Sequence, residues 1–194
     1  MLFRSPLSPA LSLDNQPRNS IATRKIAMLV ADGFDGVAAE TVRAALAAQH
    51  AIVEVIGPVL GPVASDKGEA VEADKTYKTA ASVFYDAIFI PGGEASMKTL
   101  EQSGDAIHFI QEAYKHCKAI AAIGEAVNLI ALAEIDEARE SGDAPGENAA
   151  AGVVSELGVV TARAPAAAAA LAAAFVQAIA FHRHWNRDVE TIPA

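Results

Sequence analysis

Apolar residues follow two rhythms along this chain. In the first they form short, nearly unbroken runs: "KIAMLV" (25–30), "AIVEVIG" (51–57), "YDAIFIP" (85–91), "KAIAAIG" (118–124) and "LGVVTA" (157–162). Runs this short, rich in Ile and Val and flanked by Gly or Pro, predict strands covered on both faces, as in parallel sheets. In the second rhythm apolar positions recur at helical spacing. Residues 36–50, "GVAAETVRAALAAQH", predict a helix with Val37, Thr41, Ala44, Ala45 and Ala48 near one face. Residues 95–102 and 105–116 predict two more, split at Ser103-Gly104, with Asp105 near the second N-terminus. A fourth follows Gly124, and a long fifth runs from Ala166 to about His184, entered through Pro165. Strands alternating with helices predict a doubly wound α/β sandwich with right-handed crossovers.

Three stretches keep neither rhythm. Residues 1–23, dominated by Pro, Ser and Asn, read as an extended connector. Residues 61–79 are polar and read as an irregular insertion or hairpin, and "EIDEARESGDAPGENAAAG" (134–152) reads as an acidic loop without a core signal. The N-terminal stretch is poor in acid and mimics a transit peptide, but Pro6, Pro9 and Pro17 break any amphipathic helix, which favours a linker.

Composition narrows the picture. With 194 residues, 52% hydrophobic and 20% charged, the chain is a globular domain of ordinary size. A net charge of -9 and a pI of about 5.0 repel phosphate backbones and anionic lipid, arguing against nucleic-acid or membrane partners. The alanine-rich run 166–180 is interrupted by Gln177 and is too short to cross a bilayer. The one cysteine, Cys117, excludes a disulfide framework or a cysteine-based zinc site within the chain. A single thiol suits either redox environment; a soluble, cytoplasmic protein is the expectation.

The candidate chemistry centres on "AIAAIGEAVNLIA" (119–131), a buried strand that turns sharply at Gly124 into a helix. A side chain at such a turn stands above the end of a sheet beside free backbone N–H groups, which suits a nucleophile. Here that residue is glycine. Glu125 beside it reads either as a leftover acid or as a carboxylate favoured by the helix dipole. Cys117 reads as an inert thiol at a helix end, with Lys115 and Lys118 placed to lower its pKa and make oxidation its chemistry. His182 and His184 would lie about 200° apart on a helix, so they share a metal only if the helix ends first. His50, His108 and His116 are scattered, and Trp185 reads as packing the tail onto the domain or onto a neighbour. No phosphate-binding glycine loop is present, which argues against flavin or nucleotide.

"FIPGGEASMKTL", "KAIAAIGEAVNLIA" and "GVVTARAPAAAAAL", in this order and with "ADGFDGV" upstream, resemble the PfpI-like branch of the class I glutamine-amidotransferase superfamily. That group includes proteases, deglycases and chaperones. The resemblance covers residues 25–181 and implies a flavodoxin-like fold, a mostly parallel sheet with helices on both faces. Active members carry cysteine at the elbow, usually followed by histidine; Gly124 and Glu125 stand there in this chain. Their early-helix glutamate is matched by Ala38, and Glu40, about 200° further round, would point away. Their Pro-Gly-Gly is matched by Pro91, Gly92 and Gly93, which implies a surviving cradle of backbone amides. Gly92, Gly93, Gly124 and Glu125 are thus a vestigial cradle and elbow. The resemblance implies no catalytic residue and no metal here, because donors without a nucleophile stabilise no acyl intermediate. The competing reading is a hydrolase or deglycase that uses a non-standard residue.

The two ends sharpen the match. "LSLDNQPRNSIATRKIAMLVADG" (11–33) and "AFHRHWNRDVETIPA" (180–194) resemble the lead-in and terminal segments of the C-terminal domain of large-subunit catalases. That resemblance implies a linker over residues 1–23 and a PfpI-like domain over 24–194. It implies a catalase core and sister subunits of a tetramer as partners, with haem confined to the absent core and no cofactor in this domain. In isolation, surfaces that normally face the core would be exposed and could hold unfolded client proteins.

Overall fold

A computed structural model describes residues 18–135, 152–190 and 192. Most of the connector (1–17), most of the acidic loop (136–151) and Thr191, Pro193 and Ala194 of the terminal stretch lie outside the described residues.

The first βαβ unit is β1 (Lys25–Leu29), α1 (Gly36–Ala48) and β2 (Ile52–Gly57). The polar region after it folds as a hairpin, β3 (Gly61–Ala64) with β4 (Ala70–Ala73), followed by the two-residue edge strand β5 (Lys75–Thr76). Then come β6 (Ala87–Ile90), α2 (Glu94–Glu101), α3 (Gly104–Lys115), β7 (Ala119–Ile123) and α4 (Ala126–Leu132). The chain closes with β8 (Val153–Glu156), β9 (Val159–Ala162) and α5 (Ala168–Ala180).

Among the described residues, seven strands form one sheet in the order β5-β2-β1-β6-β7-β9-β8. Every pairing is parallel except that of β8 with β9. Leaving out the edge strands β5 and β8, the central order β2-β1-β6-β7-β9 is the flavodoxin-like winding. Alternate side chains of each central strand enter opposite cores. Ile26, Met28, Phe89 and Ile123 face Val42 and Leu46 of α1 and Leu171, Phe175 and Ile179 of α5. Leu29, Ile88, Ile90 and Ile120 face Met97, Leu100, Phe109, Ile110, Leu129 and Ile130 of α2 to α4. Both faces of the sheet are therefore dry, which is why the strands read as unbroken apolar runs. Ile21, inside the stretch read as connector, is fully buried in the first core.

Three details differ from the sequence reading. The buried face of α1 is Ala38, Ala39, Val42 and Leu46, and Val37 is 53% exposed. In an alanine-rich helix the stripe has little contrast, and the two bulky residues set its phase. Strand β8 was not expected; it pairs with β9 through the tight turn Leu157-Gly158, and its Ser155 and Glu156 are both exposed. Finally, α5 stops at Ala180 rather than His184.

The helix ends share one cause. After α1, α3 and α4 the chain enters the left-handed region at His50 (φ 59), Cys117 (φ 56) and Glu134 (φ 64). Each end closes with paired reversed bonds, such as His50 N–H to Ala47 O at 2.9 Å and Ala51 N–H to Leu46 O at 3.1 Å. This is a Schellman closure without its usual glycine. His182 (φ 74) similarly follows α5.

Candidate functional site at the carboxyl end of the sheet

In a doubly wound sheet the crevice for a ligand opens beyond the carboxyl ends of the strands, where the winding reverses. Here that point lies between β1 and β6. Three loops meet there: the turn after β1, Pro-Gly-Gly after β6, and the elbow after β7.

The loops touch through backbone, not through a cavity. Gly93 has φ +95, and a Cβ on it would lie 2.2 Å from Gly33 O and 2.7 Å from Phe34 Cα. A Cβ on Gly33 would meet Ala95 Cβ at 2.7 Å. The Asp35 amide donates to Gly92 O at 3.2 Å, and the Ala31 amide to the hydroxyl of fully buried Ser96 at 2.9 Å. Gly92, with φ +78, abuts the end of β7, where a Cβ would come 2.4 Å from Ile123 O. These glycines are steric requirements of a closed crevice.

Gly124 is of another kind. Its φ is +64, yet apart from its chain neighbours no described atom lies within 4 Å of where its Cβ would stand. Its amide donates to Ala162 O at 2.8 Å, extending the β7–β9 ladder by one rung. The turn thus has the left-handed backbone and the open space a displayed side chain needs, and no side chain. Glu125 stands at the N-cap of α4 but makes no side-chain cap bond there. Its Oε2 instead accepts from the Gly93 amide at 3.2 Å, across the mouth of the cradle. The Gly93 amide of the cradle is thus already held by the chain's own carboxylate.

Around it, Ala38 is buried in the first turn of α1, its amide donating to Asp35 Oδ1 at 2.9 Å. Glu40 faces solvent, 3.9 Å from Arg43. A hollow of about 300 Å³ lined by Tyr77, Ser82, His108, Phe109 and Glu112 lies elsewhere, between α3 and the turn Ser82–Phe84 that precedes β6.

The remaining candidates sit at the opposite, amino end of the sheet. Cys117 is buried, and burial pushes its thiol pKa up, opposed by Arg187 and Arg183. This corrects the expectation that Lys115 and Lys118 would lower it. Lys118 turns inward to donate to Ser82 O, and burial brings its ammonium down to about 8. His184 lies beyond the end of α5, hydrogen-bonds Ala178 O through Nε2 at 3.1 Å and stacks on Phe181 at 5.0 Å. Burial, then Arg187, lowers its pKa to about 4. Among the described residues no three His, Cys, Asp or Glu side chains gather as metal ligands, and no helix is long and apolar enough to cross a membrane. Trp185 is 51% exposed, while the tail beyond it is anchored by Arg187, which donates to Leu157 O at 2.7 Å and Tyr114 O at 3.1 Å, and by buried Ile192. Nothing in the sequence flagged Ser96 or the Gly93–Glu125 contact, because both link residues about 30 to 65 positions apart through tertiary packing alone.

The fold is that of DJ-1/ThiJ/PfpI-like α/β domains. A ThiJ/PfpI domain protein from Brachyspira murdochii superimposes with a TM-score of 0.71 at 20% identity, covering 81% of this chain and 96% of that one. DJ-1 from Toxoplasma gondii gives 0.67 at 22% identity, covering 80% and 94%. Sequence relatives are more specific. Catalase HPII of Mycobacterium avium is 38% identical over 98% of this chain and 26% of its own length. Catalase-1 of Neurospora crassa is 36% identical over 88% and 24%, and Catalase-2 of Bacillus subtilis 35% over 94% and 23%. The chain belongs to the family of C-terminal domains found in long catalases, matched over residues 22–188. It spans about a quarter of the length of these relatives.

Proposed function

We propose that this chain is a non-catalytic accessory domain of a long haem catalase. Peroxide decomposition and haem belong to the preceding part of such enzymes, and this domain supports their stability and assembly. The observation that carries the reading is the state of the elbow. Gly124 keeps the turn and the space but has no reactive atom, and Glu125 holds the Gly93 amide. Acyl chemistry needs a nucleophile and a donor left open for the developing oxyanion.

In isolation, exposed apolar residues such as Val83, Phe84 and Trp185 give the domain the character of a holdase for unfolded chains. The test sets three assays side by side on purified protein. We expect suppression of light scattering from a heat-denatured client, no consumption of glyoxal or peptide beyond buffer, and no peroxide decomposition. Saturable turnover of glyoxal or peptide that is lost in Glu125→Gln would establish the rival hydrolase or deglycase instead. No effect on client aggregation would remove the holdase part.

A further inference from the structure

The amino end of the sheet carries a surface that the elbow does not explain. The family description places these domains at the C-terminus of long catalases, so in them the preceding chain arrives from the N-terminal side. Arg18, the first described residue, lies with its guanidinium 3.6 Å from the centre of the Phe181 ring, and Phe181 in turn stacks on His184. Arg18 therefore meets the domain at the C-terminal end of α5, at the amino end of the sheet.

Exposed apolar side chains lie on the same end. Val83 and Phe84, in the turn just before β6, are 69% and 61% exposed, and Trp185 and Phe181 follow α5. The two segments are tied to one framework. Ser82 O accepts from Lys118 at the start of β7, and Cys117 O, one residue earlier, accepts from the His184 amide. Aromatic residues this exposed, flanked by cations, have the composition of a protein interface.

Charge sets this end apart from the rest of an acidic molecule. Arg18, Arg24, Arg183 and Arg187 gather there. Arg24 pairs with Asp86 at 3.0 Å. Burial first, and then the neighbouring arginines, lower the pKa of His182 and His184, and Asp86 opposes the lowering at His182. Arg18 and Arg183 stand beside Phe181, while Arg24 is paired with Asp86 and Arg187 is buried.

We infer that the amino end of the sheet, centred on Phe84, Phe181 and Trp185 with Arg18 and Arg183 beside them, is the docking face for the catalase domain that precedes it in the long enzymes. The inference rests on the accessory-domain reading and adds its geometry. The vestigial elbow, at the carboxyl end, faces away from the partner. Acidic residues around an apolar patch on that partner would match the face.

The experiment grafts this chain onto Mycobacterium avium catalase HPII in place of that enzyme's matched segment. Hydrogen exchange is then compared between the graft and the isolated chain. Peptides covering 82–86 and 181–187 should exchange at least about tenfold more slowly in the graft, with 31–36, 91–95 and 123–127 unchanged. Phe84→Ser and Trp185→Ser alter exposed side chains. They should leave the isolated domain folded yet remove that protection and separate its thermal unfolding from that of the core. An active, soluble graft protected at the carboxyl end, or nowhere, overturns the face but not the accessory reading. A graft without soluble, active enzyme counts against the accessory reading itself. Concentration-dependent dimerisation of the isolated chain that Trp185→Ser abolishes, with no protection in the graft, would assign the face to a second copy.

Discussion

The two ends of the sheet are built to opposite plans. At the carboxyl end, where doubly wound folds bind their ligands, the loops interlock backbone to backbone and the Gly93 amide is held internally. At the amino end, usually the silent side, helices end without glycine, arginines crowd together and aromatic rings face solvent. The contrast teaches that the strand, turn and helix of such a site can be built with no side chain at the turn. The turn at Gly124 persists because β7, the elbow and α4 fill the second core, whatever stands at the turn.

Glycine substitutions test the carboxyl end most severely. Gly93→Ala drives a methyl into the Gly33 carbonyl, so we expect a loss on the order of 3–5 kcal/mol, or no folded protein. Gly124→Ala, with the same sign of φ but open space, should lose only about 1 kcal/mol. Urea unfolding of the pair measures the difference; equal losses would mean that the two loops are not distinguished by packing.

The amino end should show itself through pH. Burial holds His184 neutral down to about pH 4, whereas the unfolded chain takes up its proton near 6.5. Between these values the unfolded state binds more protons, so stability falls as pH drops from about 6.5 towards 4. Glu54, held near 2 by Lys25 and Lys75, adds a later loss between about pH 4.5 and 2. Melting curves from pH 7 to 4 should therefore slope downward, and His184→Gln should flatten that slope. An unchanged slope would show that His184 is not what the acid attacks.

A thiol compares the ends directly. In Gly124→Cys the new side chain projects into open space beside α4, with Glu125 opposing the thiolate, while Cys117 is buried with a raised pKa. We expect labelling at position 124 at least about tenfold faster than at Cys117, without turnover of glyoxal. Equal rates in a folded protein would mean that the turn does not display its side chain. The smallest effect is a gain: His50→Gly relieves an exposed left-handed residue at the end of α1 and should add about 0.5–1 kcal/mol in the same urea assay.

Much of this was legible in the residue order. The apolar runs located all five central strands, Pro-Gly-Gly and Gly124 marked the two loops, and the missing cysteine could be read directly. The ends of α1, α2 and α3 fell within two residues of their reading, but the end of α5 was not legible, because stop signals rely on glycine and here His182 takes the left-handed turn. The phase of α1 was not legible either, since most of its residues near the core are alanines of similar weight.

The sequence by itself determined the winding of the sheet, the position of the elbow and the absence of a nucleophile on it. These depend on local periodicity and on the identity of single residues. Only the tertiary structure decided that Glu125 would hold Gly93, that Lys118 would turn inward and raise no thiolate at Cys117, and that Arg18 would meet Phe181 from 163 positions away. Such contacts join segments remote in the chain, and their strength comes from burial and from the fields of neighbours, which exist only once the chain has packed.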